Sequence, residues 1–222
     1  MHGVELMEQR NRRRAATAAL VVLMAGAAAP VRAQVIDRVV AVVSGTVIMQ
    51  SDARAALALG LADPGAARDP IEAAMRWLID RQLVLDEAGR GERIEVDAAA
   101  LAQALDGVRQ RFASDEEFRR ALAGFGLDTQ ALQRLVRDTL KARLYLERRF
   151  DAMLPATDEE LRAYYARHAA HFVKNGRQVP LDEALAEVTG MLQQERRDQA
   201  IAAWMDRLRR RADIREVYHA AR

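Results

Sequence analysis

After Pro180 the chain has no further proline. From there to about Arg211 it supports one helix of roughly 31 residues, about 47 Å long at 1.5 Å per residue. The apolar residues of this helix fall into two sets. Leu181, Leu185, Val188 and Leu192 form one stripe. Every residue from Gln193 to Gln199 is polar, and the stripe then resumes, rotated, at Ile201, Trp204, Met205 and Leu208. A helix of a compact bundle buries one continuous stripe. Two separate patches need two apolar partners, so this helix is expected to bridge two parts of the molecule.

The segment Val35 to Val43 is dense in β-branched residues and reads as a strand. Ser44-Gly45 is a two-residue hairpin signal, and Thr46, Val47 and Ile48 form the return strand. A lone hairpin is marginal in water. Ile214 to Tyr218, just past the long helix, is the expected third strand.

Everything between is helical. Ser51 is read as the N-cap of a short helix from Asp52 to Gly60. Asp69, Pro70 and Glu72 begin the next helix in the manner of a capping box, and it stops near Gly89 and Gly91. Its apolar residues, including Met75, Trp77, Leu78, Ile79, Leu83 and Val84, cover more than one stripe and mark it as the most buried helix. Leu101, Leu105, Val108 and Phe112 recur at helical spacing on the next. Ser114 with Glu117 and Thr157 with Glu160 are further capping boxes. They open a short helix around Phe118–Leu122 and one running from Thr157 to His171, with a long helix from Thr129 to about Asp151 between them. Val173 to Val179 is a polar turn around Asn175-Gly176. The fold class is therefore mostly α, in the α+β sense, with a small antiparallel sheet made by the N-terminal hairpin and a C-terminal strand.

The N-terminus reads as an export signal. Arg10, Arg12, Arg13 and Arg14 precede an uncharged run from Ala15 to Ala29, and Val31 and Ala33 fit the small-residue positions of a cleavage site. The run is about 15 residues, short of the roughly 20 that cross a bilayer; an uncleaved anchor is the rival reading. Twin-arginine export is hinted at by the arginines but lacks its Ser-Arg-Arg-x-Phe-Leu pattern, and no Cys follows for lipid attachment. Residues 1–33 are thus a signal peptide and Gln34 the new N-terminus. Residues 34–222 form the working domain, an N-terminal part at 34–172 completed by the helix and strand of 178–222. The whole chain has 34 basic and 32 acidic residues, for a net +2. The signal holds five of the Arg and two of the Glu, which leaves the mature chain with 29 basic against 30 acidic residues, a net of −1. That balance lacks the footprint of a nucleic-acid binder. No second stretch is long enough to span a membrane. With no Cys in the sequence, an exported protein must hold together by packing alone.

Two segments carry a resemblance. Val35-Ile36-Asp37-Arg38-Val39-Val40-Ala41-Val42-Val43, the Ser44-Gly45 turn and Val47-Ile48-Met49-Gln50-Ser51-Asp52 resemble the opening of SurA-type periplasmic chaperones, a "V-x-D-x-V-x-A-V-V-N" strand, a turn and "x-x-S-D". The likeness continues through Leu78-Ile79-Asp80-Arg81-Gln82-Leu83-Val84, Asp158-Glu159-Glu160-Leu161 and Tyr164-Tyr165, and in loose form covers most of residues 35–218. The opening hairpin is the specific part; the helical remainder is generic. Ser44 stands where the family has Asn, and either suits a turn. Members commonly carry a parvulin-type prolyl isomerase domain before the last long helix. Here that place holds only about seven residues, Val173 to Val179. The resemblance implies a chaperone core without the isomerase.

Catalytic constellations are absent from the sequence. Of the four His, His2 lies in the signal, His219 near the end, and His168 with His171 three apart on one helix without an evident Cys or acidic partner for a metal. Ser44, Ser51 and Ser114 sit at turns or caps, outside any Gly-x-Ser-x-Gly elbow. Gly124 and Gly126 lack the strand context of a dinucleotide loop. Asp115-Glu116 and Asp158-Glu159 are charges at helix N-termini, and Arg209-Arg210-Arg211 matches a solvated helix C-terminus. Binding is what remains. The expected activity is ATP-independent, cofactor-free holding of unfolded exported polypeptides, outer-membrane precursors foremost, with room for a homodimer. Candidate groove residues are Met49, Met75, Leu78, Val84, Met153, Met191, Trp204 and Met205, flexible or large apolar side chains of the kind that accept varied partners; ordinary core filling is the competing role for each. The alternatives are an envelope assembly or scaffold factor with one fixed partner and an isomerase-related protein. Mass mapping of the exported protein should place its N-terminus at Gln34. A start well beyond Gln34 would remove the opening strand and contradict this reading.

Overall fold

A computed structural model describes residues 37–91, 93–150 and 156–217, all within the unit 37–222. The export signal, the Ala33–Gln34 cleavage site, Val35, Ile36, Met153 and His219 lie outside the described residues.

Strands β1 (Val39–Val43) and β2 (Thr46–Met49) form the expected hairpin. Ser44 and Gly45 take φ of 49° and 88°, the two positive values that a type I′ turn demands. A bulge between Val39 and Ala41 bends β1. After the long helix, β5 (Ile214–Glu216) pairs antiparallel to β1 with Ala41 opposite Glu216 and Val43 opposite Ile214. The sheet order is β2-β1-β5, so the third strand comes from the far end of the chain as its β-branched residues suggest.

Helix α1 (Gln50–Ala58) starts two residues earlier than Ser51 allows as a cap. Ser51 lies inside the first turn instead, and the acceptor for its free N–H is the carboxylate of Asp37, at 3.1 Å. The Ser51 hydroxyl donates to the same carboxylate. Asp52 accepts from the Met49 N–H at 2.8 Å and completes the N-terminus. A side chain 14 residues upstream thus satisfies orphan donors that a local cap ordinarily takes. At the other end Leu61 N–H reaches Ala56 O at 2.8 Å and Gly60 N–H reaches Leu57 O at 3.0 Å, a Schellman closure that needs the positive φ of Gly60, 66°.

Helix α2 (Pro70–Arg90) begins at Asp69, whose carboxylate accepts from Ile71 and Glu72 N–H. The Glu72 side chain turns outward to Arg76, so the box is half made. The helix also runs through Gly89 instead of stopping there. Next come α3 (Ala98–Arg109), α4 (Asp115–Gly124) and α5 (Thr129–Phe150). At α4, Ser114 accepts from Glu117 N–H, while Glu117 reaches back to Ala113 N–H, one residue short of a strict box. At α6 (Asp158–Arg167) the box is complete: Thr157 N–H donates to Glu160 at 2.8 Å, and Glu160 N–H to Thr157 Oγ1 at 3.3 Å. Helix α6 ends at Arg167, and a 3₁₀ turn over Ala169–Phe172 replaces the last turn expected of it. The polar turn beyond is a small hairpin, β3 (Val173–Lys174) and β4 (Arg177–Gln178), closed by Asn175 and Gly176 at φ 54° and 75°. Helix α7 (Leu181–Arg211) is 31 residues long.

Three apolar clusters form the interior. The first joins β1 and β2 to α1, α2, the C-terminal half of α5 and Trp204, Met205 and Leu208 of α7. The second gathers Leu59, Val108, Leu122, Leu132 and Val136 from the end of α1, α3, α4 and the start of α5. The third packs Leu161, Tyr164 and Phe172 against Ala184, Val188 and Leu192 of α7. The two patches of the long helix therefore serve two clusters. Over the polar interval Gln194 bonds Asp198 and Gln199 bonds Glu195, while Arg196 pairs with Glu160 of α6. The C-terminal arginines are exposed, as their sequence implies, and two of them are also paired with α2. Arg209 grips Asp80 of α2 with two hydrogen bonds, at 2.8 and 2.6 Å, and Arg211 reaches Glu87 at 2.7 Å.

The Asp37 cap carries a testable weight. Asp37→Ala should lower unfolding stability by about 1–2 kcal/mol, the range for loss of an N-terminal capping acceptor. Urea denaturation checks this; an unchanged midpoint would mean that water replaces the carboxylate at no cost.

Candidate apolar cleft

Three helices present matched faces to one open space. Trp77, Asp80, Arg81 and Val84 of α2 recur every three or four residues, as do Thr139, Ala142, Arg143 and Leu146 of α5, and Ile201 and Met205 of α7. Gly60 and Leu61, in the turn after α1, close one side. The cleft encloses about 520 Å³ and is half open to solvent. That volume lies within the range of pockets that hold ligands. Its walls are mainly apolar: Trp77, Leu146 and Ile201 are half-buried, while Val84, Ala142 and Met205 form a buried floor.

Polar groups on the walls are mostly engaged. Asp80 is held by Arg209, and its bonds raise the Arg209 pKa above the usual arginine value. Arg143 pairs with Glu147 at 2.7 Å. Thr139 donates to the Leu135 carbonyl at 2.8 Å. Arg81 lies over the Trp77 ring, 5.3 Å from its centroid. Burial pushes the Arg81 pKa down, opposed by attraction to Asp138 and Asp52. Burial also raises Asp52 above the ordinary aspartate value, against its hydrogen bond from Met49.

The residues expected to form a groove are dispersed. Val84 and Met205 line the cleft. Met75, Leu78 and Trp204 are buried in the first cluster. Trp204 is an anchor there, with Phe150 edge-on at 5.7 Å, Tyr145 at 6.0 Å and the Arg149 guanidinium at 5.0 Å. Met191 packs against the third cluster, and Met49 is half-buried at the end of β2. The sequence placed Trp77 and Ile201 on helices without assigning them to a groove, offered Arg81 only within the family-like segment of α2, and did not single out Ala142 or Leu146. The signal available for them was their shared three-to-four spacing on α2 and α5.

A second concavity of about 600 Å³ lies at the start of α2. Its carboxylates are already committed, Asp69 to capping and Glu72 to Arg76. No group of three or more metal-ligating side chains occurs among the described residues. His171 faces Glu187 at 3.3 Å and His168 stacks on Tyr164, so the two histidines do not converge. No helix among the described residues is long and apolar enough to cross a membrane.

No protein-family model matches the chain, and no curated protein matches it. Among solved structures, a chain from the work on PEB4 and Cj1289, two SurA-like chaperones of Campylobacter jejuni, is similar with a TM-score of 0.49 and 12% identity. That likeness covers 82% of this chain and 99% of the other.

Proposed function

We propose that the protein is an ATP-independent chaperone of the periplasm that holds unfolded exported polypeptides, outer-membrane precursors foremost, without prolyl isomerase activity. The observation that carries this reading is the half-open apolar cleft walled by α2, α5 and α7. An extended chain entering it would bury aromatic and aliphatic side chains against Trp77, Leu146 and Ile201. Each buried large apolar residue is worth about 1.5–3 kcal/mol before ordering costs are subtracted, so a few contacts give weak, reversible and sequence-tolerant binding. No nucleotide or cofactor is needed for such binding. The resemblance of residues 35–52 to the opening of SurA-type chaperones supports the same reading.

The connection from α6 to α7 supports the absence of an isomerase. The β3–β4 hairpin is tied down by Val179 N–H to Phe172 O at 2.8 Å and by the Tyr165 hydroxyl to Val179 O at 2.5 Å. Gln178 adds a bond to the Tyr165 hydroxyl at 2.8 Å and one to Ala169 O at 3.1 Å. The place that holds a whole domain in many members of that family is here a closed turn.

The protein at about an equimolar ratio should suppress aggregation of an unfolded reporter diluted from denaturant. Leu146→Glu, which sets a charge on the cleft wall, should weaken suppression about fivefold, the equivalent of roughly 1 kcal/mol, with the helical circular dichroism retained. Absence of both suppression and binding to unfolded chains would sink the proposal. Capture of a single folded partner instead would make the protein an assembly factor.

A further inference from the structure

Arg81 is the one charged group on the cleft wall without an ion pair among the described residues. Its Nε is buried and has no hydrogen-bond partner. Its single hydrogen bond, from Nη1 to the Thr139 hydroxyl, is long at 3.4 Å. A guanidinium has five N–H donors in a rigid fork, so most are unused here. No described carboxylate forms an ion pair with it; Asp138 and Asp52 act on it only at longer range. The other charges lining the cleft are neutralised, Asp80 by Arg209 and Arg143 by Glu147. The cleft therefore presents one cation without an ion pair among apolar walls. A cation taken partly out of water without a partner is costly, and a carboxylate that reaches it recovers that cost through charge-assisted hydrogen bonds.

We infer that the cleft selects extended, mainly apolar segments that carry an acidic side chain, whose carboxylate binds the Arg81 guanidinium while its large apolar neighbours pack on Trp77, Leu146 and Ile201. The inference rests on the cleft being a polypeptide site. It commits to an Asp or Glu side chain because a half-open cleft accepts the middle of a chain as readily as its end, and an unfolded chain has many acidic residues and only one C-terminus.

Two end-capped peptides test it, acetyl-Phe-Leu-Glu-Phe-Leu-amide and its Gln counterpart, titrated calorimetrically at low salt. The Glu peptide should bind the intact protein about tenfold more tightly, as expected for a hydrogen-bonded charge pair. In Arg81→Gln the two affinities should converge. Arg81→Lys, which keeps the charge and loses the fork, should retain an intermediate preference of about threefold. It also guards against misfolding of the Gln variant, with both thermal midpoints measured. Equal binding of both peptides by the parent would overturn the inference and leave the chaperone reading standing. So would a Glu preference that survives in Arg81→Gln. A tenfold gain for the Gln peptide carrying a free C-terminal carboxylate would assign Arg81 to chain ends and overturn the side-chain assignment. Failure of both peptides to bind would remove the cleft as a polypeptide site, and the inference with it.

Discussion

The pairing of β5 with β1 is the constraint from which the rest of the structure follows. β1 is the central strand, and it takes β2 from a tight turn and β5 from beyond the end of α7. Ser44 N–H to Asp213 O at 3.0 Å and Val217 N–H to Val40 O at 2.9 Å extend the ladder on either side. Because β5 must reach that strand, the last turns of α7 must lie on the first cluster, where Trp204, Met205 and Leu208 are buried. The ion pairs from Arg209 to Asp80 and from Arg211 to Glu87 fix the rotation of α7 against α2. Such exposed pairs add little stability, so their value is in orientation. The N-terminal half of α7 is then free to build the third cluster with α6.

The cleft is a consequence of that arrangement. Three helices serve two clusters each, α1 and α5 linking the second to the first and α7 linking the third to the first. Where α5 and α7 pass α2, their facing residues include Ala142 and Thr139, too small to fill the gap that Trp77, Leu146 and Ile201 frame. A core packed for stability alone would close such a space. The half-open apolar space beside a cation with unused donors is the site the proposed polypeptide would enter.

How much of this was legible in the sequence depended on whether the cause was local. The Thr157 box, the Ser44-Gly45 turn and the 31-residue α7 rest on neighbours along the chain, and each was read directly. The two stripes of α7 even announced its two partners. Ser51 misled because the acceptor for its N–H comes from Asp37, a contact created by the hairpin. The β3–β4 hairpin escaped because each strand has only two residues, too few for any alternation to register. Arg209 is the exposed helix end its sequence implies, and only its pairing escaped, because the partner, Asp80, is 129 residues away. The groove was sought by residue type, among methionines together with Leu78, Val84 and Trp204. The walls of the observed cleft follow from which faces of α2, α5 and α7 meet, and that is fixed only by tertiary packing.

Hydrogen–deuterium exchange on the whole protein, with and without an unfolded outer-membrane-type polypeptide, tests the central claim most directly. Slowed exchange on addition of the polypeptide, concentrated in residues 77–84, 139–146 and 201–205, is the predicted result. Protection confined to other surfaces, with these three segments unchanged while the polypeptide is bound, would contradict it.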